Sequence, residues 1–188
     1  KTIYKNIHKL EPGHTLTIRQ GDKQLNLKQY WDIPFVSNGI TTVSDATDAL
    51  IEHLTEAVKI RMVAEVPLGA FLSGGVDSSA VVAMMAQGSA DPINTCSISF
   101  PDPSFDEAEY ASQVAKRYNT NHQVEEVNPD DFDIIDKLAD LYDEPYADSS
   151  AMPTYRVCEL AKKRVTVALS GDGGDENFAG YRRYKWHM

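Results

Sequence analysis

Cysteine is scarce in this sequence, long apolar runs are missing and basic residues are outnumbered, and each deficit removes a class of function. The only cysteines, Cys96 and Cys158, stand far apart among apolar neighbours and outside any Cys-x-x-Cys spacing, so both are expected to be reduced core residues. Neither redox chemistry nor a zinc site is indicated. No apolar stretch approaches the roughly 20 residues that span a bilayer, and the opening Lys1-Thr2-Ile3-Tyr4-Lys5-Asn6 lacks the apolar region of a signal peptide. A cytoplasmic protein with no membrane partner is the expectation. Lys and Arg number 18 against 28 Asp and Glu, a net charge of −10. Nucleic-acid backbones are held by clustered Lys and Arg, so no nucleic-acid partner is expected. With 188 residues, 42% of them hydrophobic, the chain can bury one good core, or one core with an appendage.

What is present is organised around Leu72-Ser73-Gly74-Gly75-Val76-Asp77-Ser78-Ser79. The apolar run Val66 to Leu72 has the length of a buried strand, and the apolar-periodic run Ala80 to Ala86 that follows the glycines reads as a helix. The stretch is therefore strand, tight turn, helix. Gly74 and Gly75 are expected to take backbone angles barred to other residues, so that consecutive N–H groups converge on an anion that the helix start also favours. Ser73, Ser78 and Ser79 add hydroxyl donors. Asp77 puts a carboxylate where a phosphate would sit, which is repulsive unless a cation bridges the two. The loop asks for a phosphate together with a divalent metal. The Walker A lysine is missing after Gly75, and neither glycine-rich loop of the chain carries Gly-x-Gly-x-x-Gly, so those two phosphate-binding folds are not supported.

Taken in order, Thr15 to Gln20 and Leu25 to Trp31 alternate like half-buried strands on either side of the turn Gly21-Asp22 and predict a β-hairpin, with Asp32 to Gly39 as a linker. Ser44 or Asp45 can cap a helix running to about Ala64, with Ala46, Leu50, Ile51, Leu54, Ala57, Val58 and Met62 as its core stripe and His53 on the solvated side. Beyond the central loop, Ile93 to Phe100 predicts a strand, Glu107 to Tyr118 a helix, Gln123 to Val127 a strand and Asp130 to Tyr142 a helix. Strands separated by helices, with no hairpin turns between them, call for a parallel sheet.

A second chemical stretch follows. Asp143-Glu144-Pro145-Tyr146-Ala147-Asp148-Ser149-Ser150 is an acidic loop; a helix over Tyr155 to Lys163 then leads to the strand Val165 to Leu169. That strand runs directly into Ser170-Gly171-Asp172-Gly173-Gly174-Asp175-Glu176, whose acids lack the spacing of a calcium loop. In an open parallel sheet, ligands sit beyond the carboxyl ends of the strands, where two such loops can face each other. Asp77 and Asp175 would then hold magnesium between them.

Ser73-Gly74-Gly75-Val76-Asp77-Ser78 resembles the pyrophosphate-binding PP-loop of the ATP pyrophosphatases. Phe105-Asp106-Glu107-Ala108-x-Tyr110-Ala111, the 143–150 loop, the 170–176 loop and Gly180-Tyr181-Arg182-Arg183-Tyr184 narrow this to a resemblance to bacterial-type glutamine-hydrolysing asparagine synthetases, including relatives encoded with exopolysaccharide or exosortase systems. Leu10-x-Pro12-Gly13-His14 and Tyr30-Trp31 are similar to the tail of that family's N-terminal glutaminase domain. The resemblance implies an α/β fold: a parallel-sheet, helix-flanked PP-loop ATP-pyrophosphatase domain of the adenine nucleotide alpha hydrolase-like kind, preceded by a short β-hairpin. It also implies a division into residues 1–35, the tail of an Ntn-type glutaminase domain, and residues 36–188, the first part of a truncated synthetase domain.

The implied chemistry is ATP-dependent amide synthesis. A carboxylate, L-aspartate first among the options, attacks the α-phosphate of ATP to give an acyl adenylate and pyrophosphate, and ammonia from glutamine then displaces AMP. The resemblance sets pyrophosphate against Ser73, Gly74, Gly75, Asp77 and Ser78, the adenosine near Phe71, Leu72, Ile98 and Gly171, with Ser170 also at the nucleotide, and Mg2+ on Asp77 and Asp175. Asp172 stands where the family carries an acidic residue, often glutamate, that accepts a proton as ammonia attacks, and Asn177 stands where an apolar residue is usual. The partners are ATP, aspartate or a similar carboxylate, and ammonia from a glutaminase domain; a homodimer is carried as an option. The family's N-terminal nucleophilic cysteine is missing, since the chain starts at Lys1 and has no cysteine before Cys96. The chain alone is thus expected to bind nucleotide without turning over glutamine. The alternatives are an amidotransferase acting on a polysaccharide-linked or other carboxylate, an RNA-modifying PP-loop enzyme, disfavoured by the lack of a basic face and of paired cysteines, and a nucleotide-binding module with no activity of its own.

Overall fold

The computed structural model describes residues 2–21, 23–34, 36, 39–104, 106–128 and 134–186. The expected hairpin is formed by β1 (His14–Thr17) and β2 (Asn26–Gln29), antiparallel with Leu16 opposite Leu27. The Tyr30 N–H donates to the Gly13 carbonyl at 2.8 Å and closes its open end. Leu16, Leu25 and Leu27 stay exposed, as a two-stranded ribbon has only one layer to bury into. Lys9, just ahead of it, forms an ion pair with Glu144.

Helix α1 (Val43–Arg61) is capped by Thr42, whose Oγ1 accepts the Asp45 N–H at 3.1 Å, rather than by Ser44 or Asp45. It stops short of Ala64, with Lys59 and Arg61 in a last turn where cations suit the helix dipole. Val58 is buried, and Leu54 and Met62 pack against the core, but Leu50 and Ile51 remain exposed. The apolar stripe is wider than the face that the helix buries.

The main domain then alternates as the spacing predicts: β3 (Leu68–Phe71), α2 (Val76–Gly88), β4 (Asn94–Ser99), α3 (Ala108–Arg117), β5 (Asn121–Glu126), α4 (Ile135–Leu141), α5 (Ala151–Lys162), β6 (Val167–Leu169), α6 (Gly174–Phe178) and a 3₁₀ turn over Arg182–Trp186. All four strands are parallel, in the order β5-β4-β3-β6. The chain thus builds outward from β3 on one side and returns to pair β6 on the other, which makes the β3/β6 boundary the point where strand order reverses.

Alternation along the strands divides the core. Ala70 and Leu72 face a cluster with Val58, Val81, Val82, Met85, Ala111 and Ala115 from α1, α2 and α3. Phe71 faces the opposite cluster of Cys96, Leu160, Ala161 and Val165 beneath α5. The result is a helix–sheet–helix sandwich, with Leu72 and Met85 among its fully buried side chains.

Several expectations need correction. Cys158 is exposed on α5 rather than in the core; Cys96 is buried. Helix α5 opens at Ala151, not near Tyr155, because Pro153 falls in the first turn, where a missing N–H costs nothing. The start of the helix expected from Asp130, the linker positions Phe35, Ser37 and Asn38, Asp22 of the hairpin turn, Phe105 of the Phe105-Asp106-Glu107 motif and the terminal Lys1, His187 and Met188 lie outside the described residues.

A polar cluster is built into one side of the sheet. Thr95 Oγ1 lies 2.8 Å from Thr120 Oγ1 and 2.9 Å from His122 Nδ1, while His122 Nε2 is buried with no partner among the described residues. Burial pushes the imidazole below its ordinary value, opposed by the bond to Thr95. The unfolded chain therefore binds a proton at His122 at higher pH than the native state does. Stability is at its full value above the unfolded pKa of about 6.5 and falls as pH drops below it, until the native imidazole also protonates. Urea unfolding at pH 7.5 and pH 5.5 is expected to show a larger acid loss for the native sequence than for His122→Gln.

Candidate functional site

Two loops meet at the carboxyl ends of the neighbouring strands β3 and β6. The first continues the β3 ladder by one bond, Leu72 N–H to the Cys96 carbonyl at 2.9 Å, and the Ser97 hydroxyl donates to the Leu72 carbonyl. Gly74 has φ +87°, and a Cβ there would lie 2.7 Å from both the Ala111 nitrogen and Tyr110 Cβ. Gly75, with φ −63°, is the N-cap of α2 and has no side chain with which to cap it. Only the first of the two glycines thus takes an angle barred to other residues. The second leaves the first N–H groups of α2 without a side-chain cap.

The serines divide their labour differently from the hydroxyl-donor expectation. Ser78, 7% exposed, donates from Oγ to the Gly75 carbonyl at 3.2 Å, accepts the Ser73 N–H at 3.2 Å and lies 3.0 Å from Ser73 Oγ. Its hydroxyl ties the loop together. Ser79 Oγ is buried without a partner among the described residues.

The second loop leaves β6 at Ser170. The Ser170 hydroxyl donates to Asp172 Oδ2 at 3.0 Å and accepts the Asp172 N–H at 3.3 Å, a turn that fixes the acid. A Cβ on Gly171 would stand 2.6 Å from the Ser78 nitrogen and 2.9 Å from the Asp77 carbonyl carbon. The two loops are therefore in backbone contact.

A cavity of about 580 Å³ opens beside that contact. Phe71, Leu72, Ser73, Gly75, Asp77 and Ser78 line it from the first loop, and Ser170, Gly171, Asp172 and Asp175 from the second, with Ile98 from β4. Gly74 is the one candidate that does not line it, being turned against the start of α3. The acids of the 143–150 loop are not brought in either: Glu144 pairs with Lys9, and Asp148, held below the usual carboxylate range by its bonds to Ser150, accepts the Ser150 N–H at 2.9 Å. Pro153 and Thr154, which line the cavity too, fell before the helix expected from Tyr155, and Val157 and Phe100 were given no role. Glu107 also lines the cavity, and its place in the Asp106-Glu107-Ala108 motif was the available signal.

The charge of this cavity is one-sided. Asp77, Glu107, Asp172 and Asp175 line it, and among the described lining residues there is no Lys or Arg. The Asp172 charge reaches α5, where it adds to the partial desolvation of the Cys158 thiol in pushing that group up. A polyphosphate could enter only with a cation between it and the acids. The described residues contain no group of three or more His, Cys, Asp or Glu able to hold a metal. Magnesium typically takes one or two carboxylates and fills its shell with phosphate and water, and Asp77 and Asp175, which both line the cavity, are donors of the kind that could hold it. Outside the cavity, the Tyr181 hydroxyl donates to Glu176 at 2.6 Å, which holds Glu176 below the carboxylate range and pushes Tyr181 up to about 12, while the Arg183 guanidinium lies 4.4 Å from the Tyr181 ring centre.

Residues 49–188, which contain both loops, match the family model described as asparagine synthase. The chain belongs to the asparagine synthase family. A protein of Methanocaldococcus jannaschii named as an asparagine synthetase of the glutamine-hydrolysing kind is 42% identical over 96% of this chain and 35% of its own length. The glutamine-hydrolysing asparagine synthetase 1 of Bacillus subtilis is 34% identical over 98% of this chain and 29% of its own. Among solved structures, the chain is similar to an NH3-dependent NAD synthetase from Campylobacter jejuni at 13% identity and a TM-score of 0.49, over 71% of this chain and 60% of that one. The chain spans about a third of the length of these curated members of the asparagine synthase family.

The two PP-loop glycines should respond differently to alanine. Gly74→Ala meets both a left-handed backbone and the α3 backbone, and is expected to cost about 1–3 kcal/mol. Gly75→Ala meets only the Ser73 hydroxyl, 3.2 Å away, but gives up glycine's advantage over alanine at an N-cap, and should cost about 0.5–1 kcal/mol, less than Gly74→Ala. Equilibrium denaturation of the two variants checks this.

Proposed function

We propose that residues 36–188 are the nucleotide-handling part of an ATP-dependent, glutamine-using amidotransferase that converts a carboxylate, L-aspartate, to its amide, and that residues 1–35 are the tail of the glutaminase domain that supplies ammonia. The observation that carries this reading is the acid-lined cavity where the loops after β3 and β6 touch. Family membership and the names of the relatives support the acceptor and the amide donor.

In this reading the nucleotide lies across the β3/β6 boundary. Phe71, Leu72 and Ile98 offer the apolar wall for adenosine, and Ser73, Gly75 and the start of α2 face the pyrophosphate. Gly74 serves from behind, by giving the loop its turn and its seat against α3. Asp77 and Asp175 would hold magnesium, whose charge makes the acidic cavity hospitable to phosphates and to the leaving pyrophosphate. The acceptor carboxylate attacks the α-phosphorus, the bond to pyrophosphate breaks, and ammonia then displaces AMP from the acyl carbon. The chain contributes mainly position and charge: loops in backbone contact keep the phosphates and the acceptor side in fixed relation. Asp172, oriented by Ser170, is the group that takes the proton released by the attacking ammonia.

The test uses the full natural polypeptide that contains these residues. Calorimetric titration with ATP should show magnesium-dependent binding that is lost in Asp77→Ala and in Asp175→Ala. Asp172→Asn should bind ATP as the native protein does and lower amide formation by about 10²–10⁴-fold. Pyrophosphate release that needs L-aspartate supports the acceptor; release with other carboxylates and not with aspartate replaces it. Absence of magnesium-dependent ATP binding rejects the reading.

A further inference from the structure

We propose that Gly174 and Gly180 are positioning residues for the two metal-facing carboxylates, each giving the space of its missing side chain to one of them. The proposal rests on the reading of Asp77 and Asp175 as the magnesium pair. A Cβ on Gly174 would fall on the Asp77 carboxylate, and 3.0 Å from Asp77 Cβ. A Cβ on Gly180 would fall on Asp175 Oδ1, and 2.9 Å from its Cγ. Both acids are thus seated on a glycine.

Backbone conformation does not explain these two glycines. Neither is among the residues with positive φ, and Gly174 opens α6, where alanine is a better helix former. Their nearest obstacles are ends of side chains, in contrast to Gly171, whose Cβ would strike the α2 backbone. Alanine would therefore be accepted by the chain, and its methyl group would turn the carboxylate out.

Steric seating matters here because the described residues hold these acids in no other way. Neither the Asp77 nor the Asp175 carboxylate makes a hydrogen bond or ion pair among the described residues. Both seats belong to one short element: Asp77 reaches from α2 onto the first residue of α6, and Asp175 is the second residue of that helix. Gly180 is fixed beside Asp175 by its own N–H, which donates to the Asp175 carbonyl at 3.0 Å. Helix α6 is thus the common reference for both carboxylates, which are oriented before a metal arrives rather than gathered by it.

The experiment measures ATP affinity of the full natural polypeptide, with magnesium and with EDTA, for the native protein, Gly174→Ala, Gly180→Ala, Asp77→Ala and the Gly174→Ala/Asp77→Ala pair. Thermal unfolding is followed in parallel. Expected are unchanged folding, metal-free ATP affinity within about twofold, and a magnesium-dependent gain reduced by about 10–100-fold in each glycine variant, the range seen when groups that orient metal ligands are removed. Because Gly174 acts through Asp77, adding Gly174→Ala to Asp77→Ala should cost nothing further. Unchanged magnesium dependence, an unfolded glycine variant, or a further loss in the double variant overturns the positioning role alone. A native protein without magnesium-dependent binding overturns the reading of the site, and this proposal with it.

Discussion

The site depends on one backbone contact: Gly171, at the end of β6, lies against the Asp77–Ser78 peptide at the start of α2. Parallel pairing of β3 with β6 sets Leu68 beside Val167 and Ala70 beside Leu169, so the two strands end at the same level. The loops that follow must then leave side by side. They can touch only because residue 171 has no side chain. With a Cβ there the loops would separate, and the acids they carry would no longer share a cavity. Sheet register and one missing side chain together bring Asp77, Asp172 and Asp175 to one place.

That concentration of negative charge has a chemical meaning. A cavity whose described lining holds four acids and neither Lys nor Arg repels a phosphate chain, yet the loop beside it leaves the first N–H groups of a helix uncapped. The two properties are compatible once a divalent cation stands between acids and phosphates. The hydroxyls follow the same economy of roles. Ser78 and Ser170 use theirs to hold the loops, and Ser73 Oγ accepts the Gly75 N–H at 3.2 Å.

Much of the fold was legible. Apolar runs and helical spacing placed the four parallel strands and the helices α1, α2 and α3 within a few residues. The errors lay where local signals compete. Thr42, Ser44 and Asp45 are all good caps, and only packing of α1 chooses among them. Pro153 reads as a helix breaker, yet in a first turn it is harmless. Cys158 sits among apolar neighbours in sequence, but α5 turns that face outward. The exposed Leu50 and Ile51 of α1 continue an apolar stripe past the edge of the core, beside a second cavity of about 780 Å³ that shares Asp77 and Gly171 with the first.

By itself the sequence determined the chemistry on offer: two glycine-rich loops after buried strands, each with its acids, because composition and spacing survive without knowledge of neighbours. That the loops face each other followed only as something an open parallel sheet permits; which strands adjoin is a matter of strand order across nearly a hundred intervening residues, settled by burial of both sheet faces. Nor could the sequence separate glycines by task. Only the tertiary structure shows that Gly74 is a backbone angle, Gly171 a loop contact, and Gly174 and Gly180 seats for carboxylates, because a glycine's function is defined by what occupies the space beside it.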